Sequence, residues 1–328
     1  MSTNLKRITF GIPSYNEEVN ISNILHLIIG LNKDNQSRNH NSSGFGNGEI
    51  DKKRSENKEL NFKEEFIIAE IIISDDSSDN TCRIVEAISA ENSSVNIKLL
   101  HHNTRRGVSS AWNEIFKIAT GDIIVLYDAD IIIDKNTTAN LVESIDNGIG
   151  LCASNSTPLL LEKSRISRAS KFVAEWLSRV RNNGLSQYTV MGRALSISSH
   201  VAKSITIPEN VIALDLYLQC KVLELGFRVV YNEQALVYFR PPDNMEDFSS
   251  QIIRAMNGHK QIQHLLTGLC PRLTFRRGLI AALKGFVEDP KGAVCLISCY
   301  LLLPYYRAKL ANTNSVKWHI AKSTKNLN

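Results

Sequence analysis

Three short apolar runs in the first 130 residues each stop abruptly at carboxylates. Residues 8–12 lead into Pro13-Ser14-Tyr15-Asn16-Glu17-Glu18, and residues 66–74 (FIIAEIIIS) into Asp75-Asp76-Ser77-Ser78-Asp79. Residues 122–127, behind the turn residue Gly121, lead into Asp128-Ala129-Asp130. Apolar runs of this length, bounded by turn residues, read as buried strands. Helix-period stretches lie between them, starting near Asn20 or Ser22 and over 81–90 and 109–119, and a further strand is expected over 95–100. Strand alternating with helix predicts an α/β chain, with a mostly parallel sheet in three layers. Such a sheet binds ligands outside the carboxyl ends of its strands, where these acidic clusters fall. Two aspartates two apart at that edge can share a divalent cation and the diphosphate it carries, since Mg²⁺ and Mn²⁺ favour carboxylate, water and phosphate oxygens. A lone D-x-D can equally be a solvated turn.

At 328 residues the chain is long enough for one large domain or two smaller ones, and 43% apolar with 22% charged residues is ordinary globular composition. The net charge of +5 is uneven: from Gln251 onward twelve Lys and Arg face two acids, Glu288 and Asp289. A basic tail of this kind suits an anionic partner such as phosphate or lipid head groups. No nucleic-acid-binding motif accompanies it, and no nucleic-acid partner is expected. The six cysteines (Cys82, Cys152, Cys220, Cys270, Cys295, Cys299) form no C-x-x-C pair or His cluster, so they read as reduced thiols of an intracellular protein. The first residues lack the apolar core of a secretory signal. Residues 32–65 turn polar, rich in Asn, Ser, Lys and Gly, and predict a disordered surface insertion.

Beyond residue 145 a strand is expected over 149–155, a helix over 167–180, a return towards the sheet at 188–193, and a helix over 213–225 closed by Gly226. Two short strands, 228–232 and 235–239, follow before Pro241-Pro242. The predicted organisation is a catalytic domain over 1–245 and a basic, apolar helical extension over 246–328.

Taken in order, the stretches 13–18 and 75–81, then Asn103-x-x-x-Gly107-x-x-x-Ala111-x-Asn113, Ala119-x-Gly121-Asp122 and Asp128-Ala129-Asp130, resemble a family 2 glycosyltransferase of GT-A fold. The likeness is firm over 6–135 outside the insertion, looser over 150–260, and fades beyond. It implies a Rossmann-like domain that transfers a sugar, with inversion, from a nucleotide-sugar donor, UDP- by family habit or GDP-linked, to a glycan or lipid-linked acceptor. A dinucleotide-binding dehydrogenase is disfavoured, since no G-x-G-x-x-G follows the first strand.

By that resemblance Asp76 would accept the imino N–H of the base, Tyr15 would pack on the nucleoside, and Pro13 would shape the turn beneath it. Glu17 and Asp75 belong to the same donor loops. The carboxylates at 75, 76 and 79 also suit a helix N-terminal cap. Arg105 and Arg106 could pair with a phosphate, Arg106 being assigned to donor binding, or could be surface charge. Gly107 and Ala111 suit close packing. Asp130, with Asp128, would hold Mn²⁺ or Mg²⁺. The family's base lies in an acidic pair opening a late helix; here Leu214-Asp215 stands there, so the first acid is missing and Asp215 is the candidate base. At that helix end, the macrodipole alone would also favour a carboxylate. Gly192 and Arg193 fall where the family has an acceptor loop. Gln251 and Arg254 match a Q-x-x-R motif, although Ala255 replaces its following aromatic, which argues against a processive polymerase. A plain amphipathic helix accounts for Gln251 and Arg254 as well.

Residues 293–306 (AVCLISCYLLLPYY) form an apolar run shorter than the roughly 20 residues of a spanning helix. Flanking Arg and Lys residues, with Trp318, suit a helix lying in a membrane interface, which would place the protein peripherally at the cytoplasmic face. A buried helix with a basic tail, or a re-entrant segment, fits the same run. Two alternative functions stand beside the leading one: a polyprenyl-phosphate sugar synthase, whose phosphate acceptor needs no base, and a nucleotide-sugar-binding protein without catalysis.

Overall fold

In the computed structural model, the described residues are 5–41, 66–146, 148–159, 164–184, 190–270, 274–310 and 324. The chain begins β1 (Lys6–Ser14), α1 (Ile21–Asn41), β2 (Phe66–Asp75), α2 (Thr81–Glu91), β3 (Ile97–His101), α3 (Val108–Ile118) and β4 (Ile123–Tyr127). It continues β5 (Ile131–Ile133), α4 (Thr137–Glu143), β6 (Ile149–Pro158), α5 (Arg165–Asn182), β7 (Ala194–Ser198) and α6 (Ser199–Lys203). Then come α7 (Leu214–Glu224), β8 (Arg228–Phe239), α8 (Met245–Gln261), α9 (Gln263–Leu269), α10 (Phe275–Glu288) and α11 (Pro290–Lys309).

All eight strands join one sheet in the order β3-β2-β1-β4-β7-β6-β8-β5. The half built from the first four acid-terminated or paired strands is parallel throughout. Beyond β4 the sheet is mixed: β7 runs antiparallel to both neighbours, β6 and β8 are parallel, and β5 closes the edge antiparallel. Because β1, β2 and β4 are parallel, their carboxyl ends share one edge. Pro13 stands opposite Ser74, and Ser14 opposite Asp75.

Alternation along the strands builds two cores. On β4, Ile123, Val125 and Tyr127 face a layer with Phe10, Ile24, Leu25, Ile28 and Leu141. Ile124 and Leu126 face the other layer, with Trp112, Ile115, Phe116, Leu218 and Val222. A strand buried on both sides reads as a continuous apolar run, as this one does. Gly121 sits where backbones meet: a Cβ there would lie 2.6 Å from Thr9 N and 2.8 Å from Arg7 O. Its own N–H donates to Thr9 Oγ1 at 2.9 Å.

Several elements differ from the sequence reading. Helix α1 continues to Asn41, into the segment expected to be a disordered insertion; residues 32–41 contain no Gly or Pro to stop it. The remainder of that insertion, 42–65, lies outside the described residues. The two short strands expected over 228–239 are one strand, β8, because Asn232 is tied across the gap to Asn140 O and Ser144 Oγ, both at 3.0 Å. Pro304 does not end the apolar helix: α11 runs through it. That helix and α10 are neither buried nor free. Ala293, Cys299 and Leu303 are buried, while Phe275 (86% exposed), Val287 (85%) and Leu301 (77%) face outward. Among the described residues no helix is long and apolar enough to cross a membrane.

The tight approach at Gly121 yields a test. Gly121→Ala is expected to destabilise the protein by about 1–3 kcal/mol through overpacking against backbone that has little freedom to move. Urea unfolding at equilibrium measures it, and an unchanged midpoint would refute the reading.

Candidate active site

A pocket of about 310 Å³ opens at the shared carboxyl edge of β1, β2 and β4. It brings together Pro13, Tyr15, Glu17, Asp76, Asp128, Asp130, Gly192, Arg193, Asp215, Gln251 and Arg254. Asp75 and Arg106 stand outside its lining.

The loops after β1 and β2 are laced to each other. Asn16 adopts a left-handed backbone (φ 54°), a conformation Asn tolerates better than most residues. Its N–H donates to Ser77 Oγ at 2.7 Å, and its side-chain oxygen accepts from Ser78 N at 2.9 Å. Glu17 N donates to Thr81 Oγ1 at 2.9 Å. The Glu17 carboxylate accepts from Asn20 Nδ2 at 2.9 Å. Tyr15 is held in place by Arg105, whose guanidinium lies 4.1 Å from the ring centroid.

The acids of the second loop divide the work. Asp79 caps the start of α2, accepting from Thr81 N at 3.0 Å. Asp75 is fully buried and accepts from Ser77 Oγ (2.5 Å) and His101 Nδ1 (2.8 Å). Its role is to hold the edge of the sheet. Asp76 takes the backbone N–H groups of Arg106 (2.6 Å) and Gly107 (2.9 Å) on Oδ2, which fixes the loop leading into α3. Its Oδ1 is buried with no hydrogen-bond partner, an acceptor left for a ligand in a pocket wall.

Arg106 turns away from the pocket. It pairs with Glu114 at 2.7 Å and lies 3.5 Å from Asp76 Oδ1. Its neighbour Arg105 lines the pocket instead. Adjacent arginines on a loop point in different directions, and nothing in the sequence tells them apart. Gly107 is needed for its backbone: φ is +93°, and an added Cβ would meet nothing within 4 Å, so close packing is not the reason.

Asp128 and Asp130 follow β4 directly. The β4–β7 ladder carries on one step, with Asp128 N donating to Arg193 O at 2.9 Å. Burial pushes the Asp128 carboxyl well above its ordinary range; the nearby Asp130 charge adds to this, and Arg193 opposes it. Arg193 is held 3.8 Å over the Phe239 ring. Among the described residues no cluster of three or more His, Cys, Asp or Glu forms a ready-made metal cage. A pair of carboxylates does fit a hard cation that completes its shell with phosphate and water, as Mg²⁺ does. The mutual repulsion at Asp128 is the charge such a cation would relieve.

Asp215 opens α7 and lines the same pocket. It accepts from Leu216 N at 3.0 Å and Gly192 N at 3.2 Å. Burial raises its pKa, opposed by the Leu216 N–H and by Arg254. Gly192 meets Asp215 through its backbone N–H, and a Cβ there would make only ordinary contact, 3.6 Å from the Asp215 Cβ. Gln251 and Arg254 line the pocket from α8. Trp112 and Asp247, also in the wall, were not anticipated. Trp112 looks like a core residue at helical spacing, and only its buried, unpartnered Nε1 marks it as different.

Comparison with known proteins follows this geometry. The family model "Glycosyl transferase family 2" matches residues 61–190. That match covers less than half of the chain. The poly-beta-1,6-N-acetyl-D-glucosamine synthase of Staphylococcus aureus is 25% identical over 265 residues, 78% of this chain and 55% of that protein. The undecaprenyl-phosphate 4-deoxy-4-formamido-L-arabinose transferase of Klebsiella pneumoniae is 34% identical over 128 residues, 38% of this chain and 37% of its own length. The chain thus spans about half the length, or less, of these curated relatives. Among solved structures, a mannosyltransferase from Pyrobaculum calidifontis, in complex with GDP-Man and Mn²⁺, aligns with a TM-score of 0.54 at 18% identity. The alignment covers 99% of this chain and 88% of that one. The fold of this chain is therefore that of the GT-A glycosyltransferases, with a helical carboxyl-terminal region added.

The two arginines give a contrast to measure. Arg105→Ala is expected to weaken nucleotide binding about tenfold, a loss of roughly 1.4 kcal/mol, with an unchanged melting temperature. Arg106→Ala leaves Glu114 without its closest cation and should lower thermal stability instead. Calorimetric titration and thermal melts of both variants check this; the reverse pattern would overturn the assignment.

Proposed function

We propose that this protein is an inverting, metal-dependent glycosyltransferase that moves a sugar from a nucleotide-sugar, UDP- or GDP-linked, to a hydroxyl of a glycan or lipid-linked acceptor. The observation that carries the reading is one pocket lined by a half-buried carboxylate pair, Asp128 and Asp130, and by a third half-buried carboxylate, Asp215. In this reading Asp76 Oδ1 accepts from the base, Tyr15 stacks on the nucleoside under Arg105, and Arg193 and Arg254 flank the anionic centre. Asp130 and Asp128 would hold Mn²⁺ or Mg²⁺, which when bound offsets the charge that the diphosphate gains as the glycosidic bond breaks. Asp215 takes the acceptor hydroxyl's proton as its oxygen attacks the anomeric carbon and the nucleoside diphosphate leaves. One in-line displacement needs no protein nucleophile, and it inverts the anomeric centre. A carboxylate with a raised pKa is the better base near neutral pH.

Residues 1–245 are the transferase domain in this proposal, and 246–328 an extension that also contributes Gln251 and Arg254 to the pocket. The outward apolar residues of α10 and α11, beside Arg276, Arg277, Lys284 and Lys291, support peripheral attachment to an anionic membrane surface. The cytoplasmic face follows from the kind of donor proposed.

A second reading has its own support. The Klebsiella relative's name specifies an undecaprenyl-phosphate acceptor. A phosphate acceptor is already ionised and requires no base. Asp215→Asn separates the two: turnover falls about 100-fold or more, with donor binding kept, if Asp215 is a general base. Near-normal turnover would favour the phosphate acceptor.

Two further measurements test the leading proposal. Offered a panel of UDP- and GDP-sugars with Mn²⁺, the full chain is expected to bind one donor and hydrolyse it slowly. Both activities should be lost with EDTA and in Asp130→Ala; no metal-dependent nucleotide binding at all would falsify the proposal. The pH profile is the second. Asp215 acts when deprotonated and its pKa is raised, so activity should fall with decreasing pH through a midpoint above the usual aspartate value of about 3.9. Asp215→Asn should remove that acid limb.

A further inference from the structure

Among the described residues, three polar side-chain atoms in the pocket wall are buried without a hydrogen-bond partner: Ser14 Oγ, Asp76 Oδ1 and Trp112 Nε1. They are not equivalent. The Ser14 hydroxyl can rotate, and it can donate or accept. Asp76 Oδ1 has His102 Nδ1 at 3.4 Å and Arg106 Nε at 3.5 Å close by. Trp112 has neither option. Indole Nε1 is a donor only, and a ring at 2% exposure is held in one orientation by the core around it.

Packing explains the ring but not its N–H. Trp112 is buried on α3 with Ile115 and Phe116, and the Trp112 and Phe116 rings lie 6.3 Å apart. A buried Trp usually finds a partner for its N–H, and an unmet buried donor is destabilising. The position of the ring says where a partner would come from. One face of α3, through Val108, Ala111 and Trp112, runs along the pocket. Its start is tied to Asp76 through the N–H groups of Arg106 and Gly107. Trp112, about 7.5 Å further along the helix axis, reaches the Asp215 end. A Cβ built on Gly192 would lie 3.8 Å from Trp112 Cη2, 3.9 Å from Cζ2 and 3.6 Å from Asp215 Cβ. Cζ2 is on the same edge of the indole as Nε1, so the donor side of the ring is the side nearest Gly192. Asp215 does not take up this donor: its carboxylate accepts from the backbone N–H groups of Leu216 and Gly192.

We propose that Trp112 Nε1 donates a hydrogen bond to an oxygen of the transferred sugar, which makes Trp112 a specificity-determining residue. The inference rests on the transferase reading above and adds one contact to its donor. In that reading the sugar sits between the nucleotide, held at the Asp76 end of α3, and Asp215, which is where Trp112 stands. The site then takes a sugar with a hydroxyl or acyl oxygen on the side turned to α3 and rejects one that lacks it. A pocket built around a hydrogen bond discriminates strongly against an analogue without the group, because the buried donor is then left unmet.

The test is calorimetric titration of the full chain, with Mn²⁺, against UDP, GDP, UDP-glucose, UDP-N-acetylglucosamine and GDP-mannose. In Trp112→Phe, affinity for the best-bound nucleotide-sugar is expected to fall about tenfold, while affinity for the matching UDP or GDP stays unchanged. Phe leaves part of the ring's volume empty, so a second variant keeps the shape. The chain has three tryptophans. With Trp176→Phe and Trp318→Phe in place, the remaining one is replaced by benzothienylalanine, in which sulfur stands for the N–H. The same tenfold loss is expected, with a melting temperature no lower than that of the matching Trp112 background, since no partner within the protein is lost. A lower melting temperature shows that Nε1 serves the protein itself and overturns the inference. Equal losses for nucleotide and nucleotide-sugar, or no loss for either, overturn it too. A wild-type chain that binds none of the five compounds sinks the transferase reading and this contact with it. Nucleotide-sugar binding that ignores both variants sinks only the contact.

Discussion

Asp128 is a half-buried carboxylate at the end of a fully buried strand, a few atoms along the chain from a second carboxylate. Burial disfavours its charge and Asp130 disfavours it further, so this edge of the sheet is electrostatically unsatisfied by the protein alone. The surrounding structure compensates only in part. Arg193 is brought beside it by the β4–β7 ladder and steadied over Phe239, and Arg254 reaches in from α8. What remains is a concentration of negative charge at the pocket edge that arginine meets only in part. The antiparallel strand β7 is therefore more than an addition to the parallel half-sheet: it delivers the arginine that offsets the two aspartates at that edge.

The first two loops show the same division between holding and binding. Asp75 and Asp79 are consumed by internal hydrogen bonds, while Asp76 spends one oxygen on backbone N–H groups and leaves the other without a hydrogen bond, 3.4 Å from His102 Nδ1 and 3.5 Å from Arg106 Nε. A five-residue stretch with three acids thus contains a cap, a brace and one candidate ligand contact. The brace extends inward. Glu70, inside the apolar run of β2, is fully buried yet bonded to Thr9, Thr120 and Lys98. Burial alone would push its pKa up, but the Lys98 and Thr120 hydrogen bonds outweigh that and hold it below the ordinary range. A charge in a core is tolerated when every lone pair is met. Glu70 meets that condition and is structural. Asp128 and Asp76 fail it and face the pocket.

Much of this was legible in the residues. Apolar runs ending in acids placed β1, β2 and β4 and the pocket edge, because in a parallel sheet strand direction decides where the site forms. The positions of Asp76, Asp128 and Asp130 around one pocket follow from that logic, whereas Asp215, at the start of α7, was picked out only by the family resemblance. What was hidden depends on contacts between distant segments. Arg105 and Arg106 exchange places because Glu114, a turn into α3, captures one of them. The antiparallel β7 and the short β5 have no long apolar run of their own, and their pairing with β4 and β8 comes from the sheet that receives them. Trp112 gave no signal beyond helical spacing.

The carboxyl-terminal helices show how far one local pattern can mislead. A fourteen-residue apolar run invites a choice between a buried helix and an interfacial one, and α11 is both. One side packs on α5 and α8 through Ala293, Cys299 and Leu303; the other is left bare. Because α8 also carries Gln251 and Arg254, the apolar surface and the catalytic pocket are mechanically joined through a single helix. Arg254 opposes the raised pKa of Asp215, so a shift of α8 would change the proton affinity of the candidate base.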